Sequence, residues 1–524
     1  MSDLHKRIVL IAGFMTLFMN LAFFRALNRV YPWADFPVFF VAVGLFFTAL
    51  HVLLIALLAH GRFARWWVAL VALATPASAY FMDSYGTVID STMLDNMVQT
   101  NVAEAGDLMS PAMALYALAA LVMVGFALRA LPSSTPWKPH LKSLGVTFLA
   151  SLLVIVGSVA PVSSQFASFL REHKAVRYYA NPGYPITSVV KFLGNSFEQA
   201  TAGPLIDIDP GAKIDEPPSH KELVIVVVGE TARADHFSLN GYGRQTNPEL
   251  AKRGVVSFSN VSSCGTSTAV SVPCMFSGLG MDEFTVKDGL KHTNLLDMLS
   301  SAGVQVLWRD NNSDSKGVAL RVDYEDFKTP DKNPVCDEEC RDEGMLVGLE
   351  KYIDRYKDND VLIVLHQMGN HGPAYYKRYP KAFEKFTPVC MTNELSKCST
   401  QEIVNAYDNA ILYTDHFLGK VIDLLKRYDT TREAAMLYVS DHGESLGEYG
   451  VYLHGAPRAF APKAQIHVPA VVWTGPLFEY QRSDLMKYKD EALSHDQLFC
   501  AVAVAFEVSS PLCTRTYQST AAGR

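Results

Sequence analysis

At 524 residues the chain has room for two or three domains. Its formal net charge of -7, with no basic stripe, argues against a nucleic-acid partner, and the sequence holds no internal repeat or low-complexity tract. Charge is sparse up to about residue 160 and ordinary from about residue 219, so the mildly positive mean hydropathy describes neither part.

The first part reads as five membrane spans at 8–24, 38–58, 66–81, 112–128 and 144–159, each approaching the ~20 apolar residues that cross a bilayer. Lys6 and Arg7 before the first run mimic a signal peptide. No small-residue cleavage site follows, so the run is kept as a helix. The third span is the weakest, broken by Pro76 and Ser78. Lys6 and Arg7, then Arg62 and Arg65, then Arg129, Lys138 and Lys142 mark alternate ends, whereas the loop 83–110 has no Lys or Arg and carries Asp83, Asp90, Asp95, Glu104 and Asp107. Basic residues stay inside, so this loop is outside. Arg25 and Arg29 run against the rule, but the sum favours an inner N-terminus. An odd number of spans then exports everything after about residue 160.

A connector, 161–218, follows. Phe166, Phe169, Leu170, Tyr178 and Tyr179 alternate with Arg171, Lys174 and Arg177, a mix suited to a helix in the headgroup layer. The Pro- and Asp-rich stretch 204–218 reads as a hinge. In the exported part, 219–524, strands are predicted at 223–228, 255–260, 304–308, 361–366, 435–439 and 467–473, with an amphipathic helix over 403–425. The alternation predicts an α/β layer fold with helices on both faces of the sheet.

All eight cysteines (Cys264, Cys274, Cys336, Cys340, Cys390, Cys398, Cys500 and Cys513) lie in that exported part. An even count there points to disulfides in an oxidising compartment. Spacing suggests nearest neighbours, although eight cysteines allow 105 pairings. A Cys336/Cys340 zinc site is the rival reading, but no further ligand pair stands close by in sequence.

Two polar clusters end apolar strands: Gly229-Glu230-Thr231 after Leu223–Val228, and Ser440-Asp441-His442-Gly443-Glu444 after Ala435–Val439. Carboxylates and an imidazole delivered to one sheet edge make an N/O site for a divalent cation such as zinc, and open α/β sheets place ligands at that edge. The run Ser263–Cys274 offers Thr266, Ser267 and Thr268 ahead of apolar residues able to begin a helix. A hydroxyl there meets free N–H groups and a favourable dipole for phosphate, and a bound cation turns it into a nucleophile. A plain N-cap is the bland alternative. His371, in Gly369–Pro373, and His454, after Tyr452-Leu453, join this set. Asn311, Asn312 and Lys316 supply donors and a charge for phosphate.

Residues 229–236 (Gly-Glu-Thr-Ala-Arg-Ala-Asp-His), the Cys264–Cys274 segment, Gly369–Pro373 and 440–448 together resemble the lipid A phosphoethanolamine transferases. These include the polymyxin (colistin) resistance enzymes and belong to the alkaline phosphatase and sulfatase superfamily. The resemblance covers nearly the whole chain. It implies a five-helix transmembrane domain (1–160), an interfacial connector and an alkaline-phosphatase-like α/β domain with a mixed, mostly parallel sheet. It further implies zinc held by Glu230, Asp441, His442 and the nucleophile Thr268, with a second zinc an open question. His371 and His454 match positions at the donor phosphate, a second metal or the leaving group, and Asn312, Lys316 and Glu444 match positions near substrate. Tyr449, where relatives often have Asn, departs from the pattern beside His454, as do Ala456 and Arg458. The implied donor is phosphatidylethanolamine and the implied acceptor lipid A, at the bacterial inner membrane, by a monomer whose catalytic domain faces the periplasm.

Other readings stand beside this one. Another acceptor (a core sugar or a periplasmic glucan) and a metal-dependent phosphodiesterase use the same chemistry. A formylglycine sulfatase needs Cys-x-Pro-x-Arg, and Cys274-Met275-Phe276-Ser277-Gly278 lacks both Pro and Arg. A non-catalytic sensor has no need of a nucleophile, and a transporter is disfavoured by spans almost free of ionisable residues.

Overall fold

The structure is a computed structural model that describes residues 3–59, 63–100, 102–131, 137–200, 204–214 and 220–513. Arg62 and residues 215–219 of the expected hinge lie outside them. The chain divides into two compact units, one of 1–94 and 109–193, the other of 95–108 and 194–524.

In the first unit three helices are long and apolar enough to cross a membrane among the described residues, Pro37–Leu58, Pro111–Ala130 and Leu141–Arg171. A fourth arises if the pair Leu4–Phe18 and Leu21–Val30, bent by 55°, counts as one span. The expected span at 66–81 falls on the helix Ala64–Tyr85, which has Pro76 inside it and Arg65 and Asp83 near its ends. That polar content keeps it outside the set. Helix Pro111–Ala130 leaves Leu115, Leu118, Leu121 and Val122 exposed, the face a lipid solvent would cover. The bend in the first pair is held by reciprocal bonds: Asn20 Nδ2 donates to Asn181 O (2.8 Å) and Asn181 N donates to Asn20 Oδ1 (2.9 Å). In the connector, Phe166 and Phe169 are not presented to a headgroup layer. They are buried with Phe23, Tyr31 and Phe39, because aromatic packing there removes more apolar surface than an interface would, and Leu170 stays exposed.

The second unit is built on an eight-stranded sheet. In chain order its strands are β1 Lys221–Gly229, β2 Val256–Ser262, β3 Gln305–Asp310, β4 Asp323–Asp326, β5 Val361–His366, β6 Arg432–Ser440, β7 His467–Thr474 and β8 Leu493–Ser494. Their spatial order is β8-β2-β7-β6-β1-β5-β3-β4. Only β7 runs antiparallel to its neighbours, β2 and β6; every other pair is parallel. All six expected strands are present. The two that the pattern missed, β4 (Asp-Tyr-Glu-Asp) and β8 (Leu-Ser), are short, polar edges with no apolar run to betray them.

Central β1 is buried along both faces, as a strand between helical layers must be. Val224, Val226 and Val228 pack in one core with Leu295, Leu296 and Leu299 of the helix Leu295–Ser301 and Phe499 and Val502 of the helix Asp496–Ala505. Alternation sends the equally buried Leu223, Ile225 and Val227 to the other face. The helix Thr400–Leu425, begun by a Ser399/Glu402 capping box, packs on β6. The disulfides are Cys264–Cys274, Cys336–Cys340, Cys390–Cys398 and Cys500–Cys513, which leaves no cysteine free and removes the Cys336/Cys340 zinc alternative.

Candidate active site and metal centre

Strands β1 and β6 are parallel neighbours that end level, Gly229 opposite Ser440, so the next residues emerge together at the carboxyl edge. Asp441 N donates to Gly229 O at 2.9 Å, which locks the two ends. Residue 229 has to be glycine, because a Cβ there would lie 2.5 Å from the Tyr438 ring. Thr231, just past Glu230, has φ +53°, a strained conformation for a β-branched residue. It is held by Tyr407, whose hydroxyl donates to Thr231 O at 2.6 Å, and by its own N–H, which donates to Asp441 Oδ1 at 3.2 Å.

Glu230, Asp441 and His442 are fully buried and bring one ligand atom each to within 4.8 Å of one another. His442 Nδ1 lies 2.9 Å from Gly443 O. A carbonyl can only accept, so the proton sits on Nδ1 and the Nε2 lone pair faces inward. That Nε2 is 3.3 Å from Asp441 Oδ2 and 3.5 Å from Glu230 Oε1. Both of these carboxylate oxygens are buried with no hydrogen-bond partner among the described residues. Burial, then the neighbouring Glu230 charge, pushes Asp441 well above the usual carboxylate range. Burial acts to raise Glu230 too, but His442, His371, His454 and the Asn312 amide together hold it below its usual value. Burial, followed by the His454 charge, brings His442 down to about 3, so its ring is neutral. Two buried carboxylates and a neutral imidazole with bare lone pairs are a donor set that fits a divalent ion such as zinc.

Thr268 opens the helix Thr268–Met275 inside the Cys264–Cys274 bridge. Its hydroxyl donates to Glu230 Oε2 at 3.1 Å and lies 3.4 Å from His442 Nε2. The competing Thr266 hydroxyl goes instead to Ala456 O, at 2.7 Å. Glu444 and His454 form a second group beside the first. Glu444 Oε1 accepts from the Tyr375 hydroxyl (2.6 Å), and Oε2 pairs with His454 Nδ1 (2.8 Å). The His454 ring lies 4.4 Å from that of His442 and 5.5 Å from that of His371. With a side chain 15 % exposed, His454 is the solvent-facing member of its pair with the fully buried Glu444.

The family model "Sulfatase" matches residues 222–508, and "Phosphoethanolamine transferase EptA/EptB" matches 47–197. The chain is 45 % identical to the phosphatidylethanolamine transferase Mcr-2 of Escherichia coli over 96 % of its own length and 94 % of that protein's. It is 37 % identical to the phosphoethanolamine transferase EptA of Escherichia coli K12 over 91 % and 87 %. The integral membrane lipooligosaccharide phosphoethanolamine transferase A of Neisseria meningitidis superposes with a TM-score of 0.91 at 33 % identity, over 97 % of this chain and 96 % of that one. The chain belongs to the phosphoethanolamine transferase family.

The structure brings together Glu230, Thr268, Asp441, His442, Glu444, His454 and His371. Asn312 stands beside them. Its amide is occupied by Glu230 Oε2 (2.8 Å) and Gln367 O (2.6 Å), so it orients a candidate metal ligand. Lys316 lies on the same loop at φ +52° and donates to Ser313 O at 2.7 Å.

Several supporting residues escaped the sequence reading. Arg233 donates to Glu444 O (3.1 Å) and pairs with Asp235 (2.8 Å) and Glu448 (2.5 Å), tying the first family motif to the last. Arg378 Nε donates to His371 O at 2.6 Å. His495 Nδ1 accepts from Cys264 N (3.1 Å), and its Nε2 donates to Ser440 O (3.0 Å). Arg233 stood inside a recognised motif and was within reach of the sequence. Arg378 and His495 stand alone, with no spacing to mark them.

Proposed function

We propose that the protein transfers phosphoethanolamine from phosphatidylethanolamine to a phosphate of lipid A, with Thr268 as the nucleophile. The observation that carries this reading is the Thr268 hydroxyl 3.1 Å from Glu230 Oε2 and 3.4 Å from His442 Nε2, at a buried sheet edge of a chain whose relatives are named phosphoethanolamine transferases. When bound by Glu230, Asp441, His442 and Thr268, zinc supplies a Lewis-acid charge that acidifies the hydroxyl and offsets negative charge on the phosphoryl oxygens.

The chain's own groups do the rest. Glu230 Oε2 accepts the hydroxyl hydrogen and so orients the Thr268 lone pair towards phosphorus. A Thr268 Oγ–P bond forms, the P–O bond to the glyceride breaks, and phosphoethanolamine is left esterified to Thr268. His454, with Nδ1 turned to Glu444, has its other nitrogen free to deliver a proton to the departing diacylglycerol oxygen. In the second step a protonated lipid A phosphate gives its proton to His454 as its oxygen attacks the same phosphorus, and Thr268 leaves, taking back the proton that Glu230 Oε2 accepted. Burial of the site keeps water from competing as the acceptor.

Both substrates are lipids, which gives the apolar helices of residues 1–160 their purpose. In this reading they form five spans, the connector covers 161–218, and residues 219–524 work as a monomer in the periplasm of a bacterial inner-membrane protein. Adding a cationic ethanolamine lowers the negative charge of lipid A, so polymyxins and other cationic peptides bind it less. Mass spectrometry of lipid A tests the proposal. Cells making the wild-type chain gain one phosphoethanolamine, and cells making Thr268→Ala gain none. Unmodified lipid A with a modified core sugar would overturn the acceptor and keep the chemistry, a reading favoured by a 33 % identical relative named Kdo(2)-lipid A phosphoethanolamine 7''-transferase, matched over 48 % of this chain.

A further inference from the structure

The loop that carries Asn312 to Glu230 is held from behind by a buried pair outside the family motifs. Asp310 ends β3 and His366 ends β5, opposite each other in parallel register and without solvent exposure. Asp310 Oδ2 pairs with His366 Nδ1 at 2.8 Å and accepts the Trp308 indole N–H at 2.9 Å. Asp310 Oδ1 accepts the backbone N–H groups of Asn312 (2.9 Å) and Asp314 (3.2 Å). From the other side, Asn311 N donates to His366 O at 2.9 Å, and Gln367, the next residue, receives the Asn312 amide at 2.6 Å. His366 Nε2 is buried with no hydrogen-bond partner, so the ring's one polar tie among the described residues is to Asp310.

A carboxylate this deep is costly unless its lone pairs are filled, and four donors fill them here. The filling is directional. One oxygen is fixed by two rigid rings on the sheet, and the other therefore fixes the start of the 311–316 loop. From this anchored backbone Asn312 donates to Glu230 Oε2 at 2.8 Å. With Oε2 held by Asn312 and Thr268, Oε1 is the oxygen left turned towards Asp441 and His442.

We propose that Asp310, oriented by His366 and Trp308, is a positioning residue for the metal centre: through Asn312 it sets the rotation of the Glu230 carboxylate. This rests on the reading of Glu230, Asp441 and His442 as cation ligands. The test is the zinc affinity of the full-length protein in detergent, measured by competition with a chromophoric chelator. The variants are Asp310→Ala, Asn312→Ala and the double variant. Each single variant is expected to bind zinc ~10–100-fold more weakly, the usual effect of removing a partner of a ligand. The double variant should be no weaker than the weaker single one, since both changes cut one path. Losses that multiply, or an Asp310→Ala affinity equal to wild type, would overturn the proposal.

If Asp310→Ala does not fold, His366→Asn and His366→Leu carry the same question. The asparagine presents an N–H where Nδ1–H stood and should keep zinc affinity, while leucine should lose it; equal behaviour of the two refutes the role of the pair. A wild-type protein with no zinc affinity removes the metal centre and this proposal with it, an outcome distinct from an affinity that ignores Asp310.

Discussion

His495 shows how much one side chain outside every motif can contribute. Its two ring bonds join the Cys264 end of the Thr268 loop to the end of β6, and burial lowers its pKa to about 4. The folded value lies below that of an unfolded histidine, ~6.5, so the stabilisation is complete above about pH 6.5. It is lost as pH falls towards 4, where the unfolded chain takes up a proton that the folded ring refuses. A His495→Gln variant is expected to be less stable by about 1–3 kcal/mol at neutral pH, from two disturbed buried hydrogen bonds. It should also lose less stability than wild type on acidification to about pH 5. Thermal unfolding of both proteins across that interval checks it, and parallel curves would contradict it. Legibility at this scale followed chemistry. Glu230, Asp441 and His442 could be read because they sit where apolar strands stop, and Thr268 because the resemblance chose it among three hydroxyls. The Asn312 contact with Glu230 could not be read, since sequence does not show which carboxylate an amide will meet.

The segment Val102–Asp107 is a short helix within 95–108, a stretch that belongs to the second unit although 1–94 and 109–193 on either side form the first. Asp107 is the reason visible at its end. Its carboxylate, 6 % exposed, receives Lys377 at 2.6 Å and Arg378 at 2.5 Å, and Arg378 in turn holds the His371 carbonyl. Arg378 is also paired with Glu339 and is itself buried. Burial works against its charge, and the two carboxylates more than restore it. Asp107→Asn therefore leaves a buried guanidinium with one anion. The expected cost is about 1–3 kcal/mol of stability, together with reduced transfer, because the His371 segment loses its brace. Unfolding midpoints and lipid A modification measured together decide it, and a variant matching wild type in both would discard the brace. This contact was invisible in sequence, where Asp107 served only as one of several acids marking an outer loop. The central strands were legible for the opposite reason: Leu223–Val228 and Val361–Leu365 are apolar without interruption, as buried parallel strands must be.

For the molecule as a whole, charge and cysteine placement carried the most information. Every disulfide falls in the second unit, and each closes a loop with a sequence separation of 13 or fewer residues. Loops this short predict about 2–4 kcal/mol apiece from restriction of the unfolded chain. Reduction by a thiol is expected to lower the unfolding midpoint of the full-length protein by several degrees, read by calorimetry with and without reductant; an unchanged midpoint would show that the bridges add nothing. The membrane part was less legible, since a helix carrying Pro76, Arg65 and Asp83 has no composition that separates a span from a packed helix.

The Cys264–Cys274 bridge has one more consequence. It brackets Thr268, so under the proposed mechanism the attacking alcohol sits in a loop that the oxidation of two thiols closes. In that reading a newly made chain, still on the reducing side, lacks the closed loop, and headgroup transfer is expected only once the bridge has formed. In the same reading maturation is coupled to export. Cells deprived of their thiol-oxidising machinery are expected to accumulate full-length but idle protein, with lipid A unmodified.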